Sequence, residues 1–151
     1  MAGKAEGIAA FARRMTAMRL ARLGLQLDRA QRDLSPETVH DLRVAARRLQ
    51  YTLDCFRSLL AGRKFRRLRK RAKAVLAAGG AVRDRDIALE IAARVGLAPT
   101  SELVEALRRQ REAAAGSLRI LLERRRYRRF SGKWTRRLGL PTWNAGENER
   151  H

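Results

Sequence analysis

The segment Val39-His-Asp-Leu-Arg-Val-Ala-Ala-Arg-Arg-Leu-Gln-Tyr51 holds the residues best placed to do chemistry. It sets His40, the only internal histidine, beside Arg43, Arg47 and Arg48. Residues three, four and seven apart share a helix face, so one imidazole and a row of guanidiniums point the same way. Folding does not require that arrangement. An anion with several charges would favour it.

The rest of the chain points in the same direction. Lys and Arg total 35 against 15 Asp and Glu, a formal net charge of +20. Self-repulsion opposes compactness, so the excess implies an anionic partner: nucleic acid, polyphosphate or an acidic membrane surface. A genome rich in arginine codons would raise arginine generally, but would not gather it in runs. With 151 residues the chain can bury one modest core, and one domain is expected. Cys55 is the single cysteine, which leaves no intramolecular disulfide and no cysteine-based zinc site. The opening Met-Ala-Gly-Lys-Ala-Glu-Gly lacks the apolar run of a signal peptide, and no apolar stretch is long enough to cross a bilayer. A cytoplasmic protein that does not enter membranes is expected.

The elements that position these residues read as helical nearly throughout, with no strand alternation. The expected fold class is all-α, an antiparallel bundle of about five to six helices. The first helix runs from about Ala5 to Leu34, with a stripe of Ile8, Phe11, Met15 and Met18 continued by Leu20, Leu23, Leu27 and Leu34. Gly24 marks either a bend or a close approach of another helix. Ser35-Pro36-Glu37 is a helix start: a capping side chain, a proline at the first position and a carboxylate at the positive end. The second helix extends to about Leu60 on a stripe of Leu42, Ala46, Leu49, Leu53, Phe56 and Leu60, and Gly62 ends it. A third follows from Arg63 to Ala78, burying Phe65, Leu68, Ala72, Val75 and Leu76. So short a connection implies an antiparallel hairpin in which two basic faces lie side by side.

Gly79-Gly80 reads as a break. A fourth helix is expected from near Asp84 to Gly96, burying Ile87, Ile91 and Val95, with Asp84 as its cap. Thr100 or Ser101 caps a fifth with a stripe of Leu103, Leu107, Ala114, Leu118, Leu121 and Leu122. Arg124–Arg129 leads into a short sixth helix holding Phe130 and Trp134. The bundle is assigned to residues 1–138 and a C-terminal tail, a candidate for disorder, to 139–151.

Two segments resemble the CHAD domain, the conserved histidine α-helical domain. One is Val-His-x-x-Arg-Val-x-x-Arg-Arg-Leu at Val39–Leu49; the other is Gly-x-Val-Arg-Asp-x-Asp-Ile at Gly80–Ile87. The resemblance implies an all-helical bundle that binds inorganic polyphosphate through a basic surface, with association to polyphosphate granules. Carried over by position, the motif residues are His40, Arg43, Arg47, Arg48 and the Arg83-Asp84 element. Many members carry another basic residue where this chain has Gln50. Typical members also contain two similar halves, each with its own histidine motif, whereas here the only other histidine is His151. A homodimer is therefore expected, a two-fold axis standing in for the internal pseudo-symmetry.

Arginine suits polyphosphate because its planar, always charged fork matches phosphate oxygens. By analogy with DNA, affinity should fall steeply with salt as counterions are released. Lys64, Arg67 and Arg71 share a face of the third helix and join the expected polyphosphate-binding set, as does Arg83; about half of the charge run is expected to be solvated helix surface. His40 admits two readings. It either favours polyphosphate below about pH 6.5, where imidazole ordinarily protonates, or orders the start of the second helix through a hydrogen bond. The Arg83-Asp84 element also has a structural reading, which is preferred: Asp84 caps the fourth helix and Arg83 pairs with a carboxylate. Tyr127, Phe130 and Trp134 suit packing better than base stacking. The Arg124–Arg129 cluster either extends the surface or complements the negative end of the fifth helix.

A non-specific nucleic-acid-binding protein is the alternative that charge alone supports equally. Aromatic residues are only 5% of the chain, which disfavours single-strand stacking, and no helix-turn-helix or zinc-finger spacing stands out. Enzyme chemistry is not expected. There is no GxxxxGK loop, and the one close acidic pair, Asp84 and Asp86, is not brought together by a helical turn. One internal histidine supports no nucleophilic triad, and no metal or cofactor is expected.

Overall fold

A computed structural model describes residues 2–143, with side chains from residue 7 onward. Five α-helices follow one another: α1 (Ala2–Arg32), α2 (Pro36–Cys55), α3 (Arg63–Arg94), α4 (Glu102–Glu123) and α5 (Phe130–Leu138). A 3₁₀ turn at Arg125–Tyr127 precedes the last. No strand occurs among the described residues, and no helix there is long and apolar enough to cross a membrane. The fold is an all-α bundle.

The start of α2 forms as its sequence dictates. The Ser35 side chain accepts a hydrogen bond from the Thr38 amide at 3.3 Å, and Pro36 opens the helix. Asp33 braces the same corner by accepting from the Ser35 amide at 3.1 Å. Of the two caps open for α4, Ser101 does the capping, accepting from the Val104 amide at 3.4 Å.

Packing runs in a ring. α2 lies between α1 and α3, α4 covers the other side of α3, and α1 meets α4 to close the circle, while α5 folds back onto α1. Leu20, Leu23 and Leu27 of α1, Leu42, Leu49 and Leu53 of α2, Leu68 and Val75 of α3, and Leu118 and Leu122 of α4 fill the centre. Tyr127, Phe130 and Trp134 extend the core, with the first two rings stacked 5.7 Å apart. Gly24 is a close-approach position: a Cβ there would sit 2.6 Å from the Ser131 Oγ of α5.

Four expectations are corrected. The largest concerns Gly79-Gly80, which lie inside one continuous 32-residue α3 instead of separating two helices. The buried row Leu68, Ala72, Val75, Gly79, Val82, Asp86 keeps its alternating four- and three-residue steps through the pair, so packing outweighs the low helix propensity of glycine. Asp84, expected as a cap, is therefore an exposed mid-helix residue. The buried carboxylate is Asp86, which accepts from the Arg111 Nε of α4 at 2.9 Å. Arg111 also donates to the Leu34 carbonyl, tying α3, α4 and the α1–α2 corner together.

Second, Ile87, Ile91 and Val95 are exposed, at 39%, 52% and 69%, while Ala92 is the buried residue of this end of α3. Leu103 is likewise exposed, as are Ile8 and Phe11 near the start of α1, where α1 instead buries small residues, Ala12, Thr16 and Ala17. Third, α2 stops at Cys55, since the chain must reverse before Arg63; Leu60 stays buried from within the turn, and Gly62 takes φ 115°. Fourth, residues 139–143 stay on the bundle. Leu140 is buried, Trp143 packs on the core, and Arg13 donates to the Leu138 and Gly139 carbonyls at 2.8 and 2.6 Å. The remainder of the expected tail, including His151, lies outside the described residues.

Candidate functional site

The pairing of α2 with α3 builds the site. Arg69 lies across from Leu53 and Asp54, Arg43 from Gly79, and His40 from Arg83, so the two helices run antiparallel. His40 and Arg47 are exposed on the outer crest of α2, one helix repeat apart.

Arg43 is the residue whose position the fold controls most tightly. Its stem crosses α3 where the glycines have no side chain; a Cβ on Gly79 would fall 3.0 Å from the Arg43 Cγ. Gly80 leaves room for the guanidinium in the same way: a Cβ there would lie 3.7 Å from the Arg43 Nε. The Arg43 Nε is buried and has no hydrogen-bond partner. The glycine pair is therefore a saddle for an arginine, and it leaves a donor of that arginine unsatisfied.

Beyond Arg43, His40 and Arg83 line one hollow of about 360 Å³ together with Glu37, Asp41 and Glu90. Charge there is mixed. Arg83 pairs with Glu90 at 3.3 Å, and Asp41 pairs with Arg29 at 3.2 Å. At the opposite end Asp54 is met by Arg69 at 2.8 Å and Arg57 at 3.6 Å. Carboxylates thus flank the groove at both ends, and among the described residues all of these but Glu37 are engaged in ion pairs. In the middle, Arg43 lies over Gly79 and Gly80 of α3.

The other expected residues point elsewhere. Arg48 turns to the opposite flank of α2 and lines a hollow with Arg19 and Arg22 of α1. Lys64, Arg67 and Arg71 form a separate row on α3 that faces α5 and the 3₁₀ turn. Lys64 donates to the Arg137 carbonyl at 3.2 Å, and the Arg71 carbonyl accepts from the Tyr127 hydroxyl at 3.5 Å. Near them Arg124, Arg125, Arg126, Lys133 and Arg137 line a shallow concavity that contains no carboxylate. The set of eight is therefore divided over three surfaces: His40, Arg43, Arg47 and Arg83 together, Arg48 apart, and Lys64, Arg67 and Arg71 apart.

Sequence reasoning missed Arg19 and Arg22, and it gave no role to Arg69, which meets Leu53 and Asp54 of α2. The signal for Arg69 was available. Arg69, Lys73, Leu76, Gly80 and Arg83 follow four- and three-residue steps, which places them with the motif arginine Arg83. Nothing local marks Arg19 and Arg22, which become neighbours of Arg48 only through the packing of α1 on α2.

Fold and site together define an all-α bundle with arginine-lined surfaces around its second and third helices. The chain matches the family model for the CHAD domain over residues 4–150 and belongs to that family. CHAD domains are associated in general with polyphosphate binding. No significant match to a curated protein or to a solved structure is found.

Proposed function

We propose that this protein binds inorganic polyphosphate on the α2–α3 face, with His40, Arg43, Arg47 and Arg83 as the contacting set and Lys73 beside them. The observation that carries this reading is Arg43: a guanidinium seated over a glycine pair, its Nε buried and unpartnered. The side chain is only partly buried, so its terminal nitrogens can meet an acceptor arriving from outside, and a phosphate oxygen is the acceptor that arginine forks fit best. Arg48 and the Lys64–Arg67–Arg71 row provide flanking charge for a long polymer. The role is binding, with no catalytic step assigned, and a place at polyphosphate granules would follow from it.

The test is a polyphosphate titration over a salt series with duplex DNA as competitor. Affinity should fall as salt rises. Arg43→Gln should weaken binding about tenfold, the loss of one charge-assisted hydrogen bond. DNA displacing polyphosphate at equal phosphate concentration would favour the nucleic-acid alternative instead.

We further propose that two copies associate. Ile87, Ile91 and Val95 form an exposed apolar row at the end of α3, beside exposed Leu97 and Leu103. A second copy of the same face would cover it with the self-complementarity that a two-fold axis requires. Light scattering should report a dimer, with Ile91→Lys shifting it to monomer. A monomer with and without polyphosphate would refute this.

A further inference from the structure

α1 and α2 enclose a second hollow, on the flank of α2 opposite the glycine pair. Its volume is about 330 Å³, within the range of small-molecule sites. Arg19 and Arg22 enter it from α1 and Arg48 from α2, while Leu25, Val44 and Ala45 supply apolar wall. Asp41 stands at its edge but is engaged by Arg29.

Two observations set this hollow apart from an ordinary basic surface. The Arg19 Nε is buried with no hydrogen-bond partner. Burial, and then the charges of Arg48 and Arg22, push the Arg19 pKa below its ordinary value. An anion placed among them would offset that crowding of positive charge. The apolar wall narrows the class of anion. Polyphosphate has nothing to set against Leu25, which is half exposed, or against Val44. A ligand with a flat or apolar body would cover them, and arginine planes also stack on flat rings.

We infer that the α1–α2 hollow binds a small phosphate monoester of the nucleotide class, its phosphate held among Arg19, Arg22 and Arg48 and its base laid over Leu25 and Val44. Arg48 is shared with the polyphosphate reading as flanking charge, but Arg19, Arg22 and Leu25, on which the site is tested, have no part in that reading.

Calorimetry on the full chain at fixed salt tests it, with AMP, ribose 5-phosphate and inorganic phosphate as probes. AMP should bind saturably at one site per chain, about tenfold tighter than either of the other two. Arg19→Gln and Arg22→Gln should each weaken AMP about tenfold, while Arg109→Gln on α4, a charge-matched control, should leave it within about twofold. Leu25→Asn, at a half-exposed position that the fold tolerates, should weaken AMP and leave inorganic phosphate unchanged. Equal binding of the three probes, equal losses from Arg109→Gln and Arg19→Gln, or no saturable AMP binding at millimolar concentration would each overturn the proposal. Circular dichroism of each variant confirms the fold. If Arg19→Gln unfolds the chain, the Leu25→Asn comparison decides alone.

Discussion

Gly79 and Gly80 are adjacent in the same helix, yet replacing each with alanine should have different consequences. In a helix interior alanine is favoured over glycine by about 0.8–1.0 kcal/mol. At Gly80 nothing offsets that gain. A new Cβ would lie 3.7 Å from the Arg43 Nε and 3.8 Å from Nη2, ordinary van der Waals contact. Gly80→Ala should therefore stabilise the protein by about 1 kcal/mol, a rise in Tm of roughly 2–4 °C for a chain of this size.

At Gly79 the new Cβ would fall 3.0 Å from the Arg43 Cγ and 3.6 Å from Cδ. Cγ lies near the root of the side chain, so it cannot clear the methyl by swinging its far end. The stem must shift by some tenths of an ångström, or α2 and α3 must part. Overpacking of this kind costs about 1–3 kcal/mol, which cancels or exceeds the helix gain. Gly79→Ala should then be neutral to about 2 kcal/mol destabilised, and it should weaken polyphosphate binding severalfold by displacing Arg43. Thermal unfolding and a polyphosphate titration of both variants check this. If Gly79→Ala is stabilised as much as Gly80→Ala and binds as well as the parent, α3 does not seat Arg43 and the site argument fails.

The two aspartates of the Arg-Asp-x-Asp segment should separate just as sharply. Asp86→Ala leaves the Arg111 guanidinium without its buried partner and should cost about 3–5 kcal/mol in urea unfolding, whereas exposed Asp84→Ala should stay within about 0.5 kcal/mol. Burial raises the pKa of Tyr127 despite the opposing charges of Arg71, Arg126 and Arg124. The folded state then holds that proton more tightly than the unfolded chain, so this contribution is complete below about pH 10 and is lost as pH climbs through the raised value. The difference in stability between the parent and Tyr127→Phe should accordingly shift in favour of Tyr127→Phe above about pH 10 in chemical denaturation.

Much of this architecture is legible from local signals. Ser35-Pro36-Glu37 fixes the start of α2, and the Leu42–Leu49–Leu53 stripe fixes its buried face, because capping and periodicity act within one helix. The reading of Gly79-Gly80 as a break fails because propensity was weighed without the tertiary row that overrides it. Leu68, Ala72, Val75, Gly79, Val82 and Asp86 carry the helical period straight across the pair, and that row could have been followed. The exposure of Ile91 and Val95 could not, since it depends on how the other helices pack against this end of α3. The division of the arginines is also tertiary. Spacing alone places Arg47 and Arg48 side by side, and only the packing of α1 and α3 on opposite flanks of α2 sends Arg43 to one groove and Arg48 to another.

That division bears on which cation matters most to a polyanion on the α2–α3 face. The charge of Arg83 is already shared with Glu90 at 3.3 Å, while exposed Arg47 on the crest has no ion pair among the described residues. A phosphate approaching Arg83 must also come within the field of Glu37 and Asp41, which line the same hollow. Arg47→Gln should for these reasons weaken polyphosphate binding more than Arg83→Gln. Removing the competitor should have the reverse effect: Glu90→Gln frees Arg83 and deletes one repulsive charge, and should tighten binding by about two- to fivefold, as expected for a partly exposed pair worth up to about 1 kcal/mol. The gain should shrink at high salt, where screening already weakens the Glu90 field. If Glu90→Gln instead loosens binding, the Arg83–Glu90 pair is holding the groove in shape, and Arg83 acts on α3 and not on the phosphate.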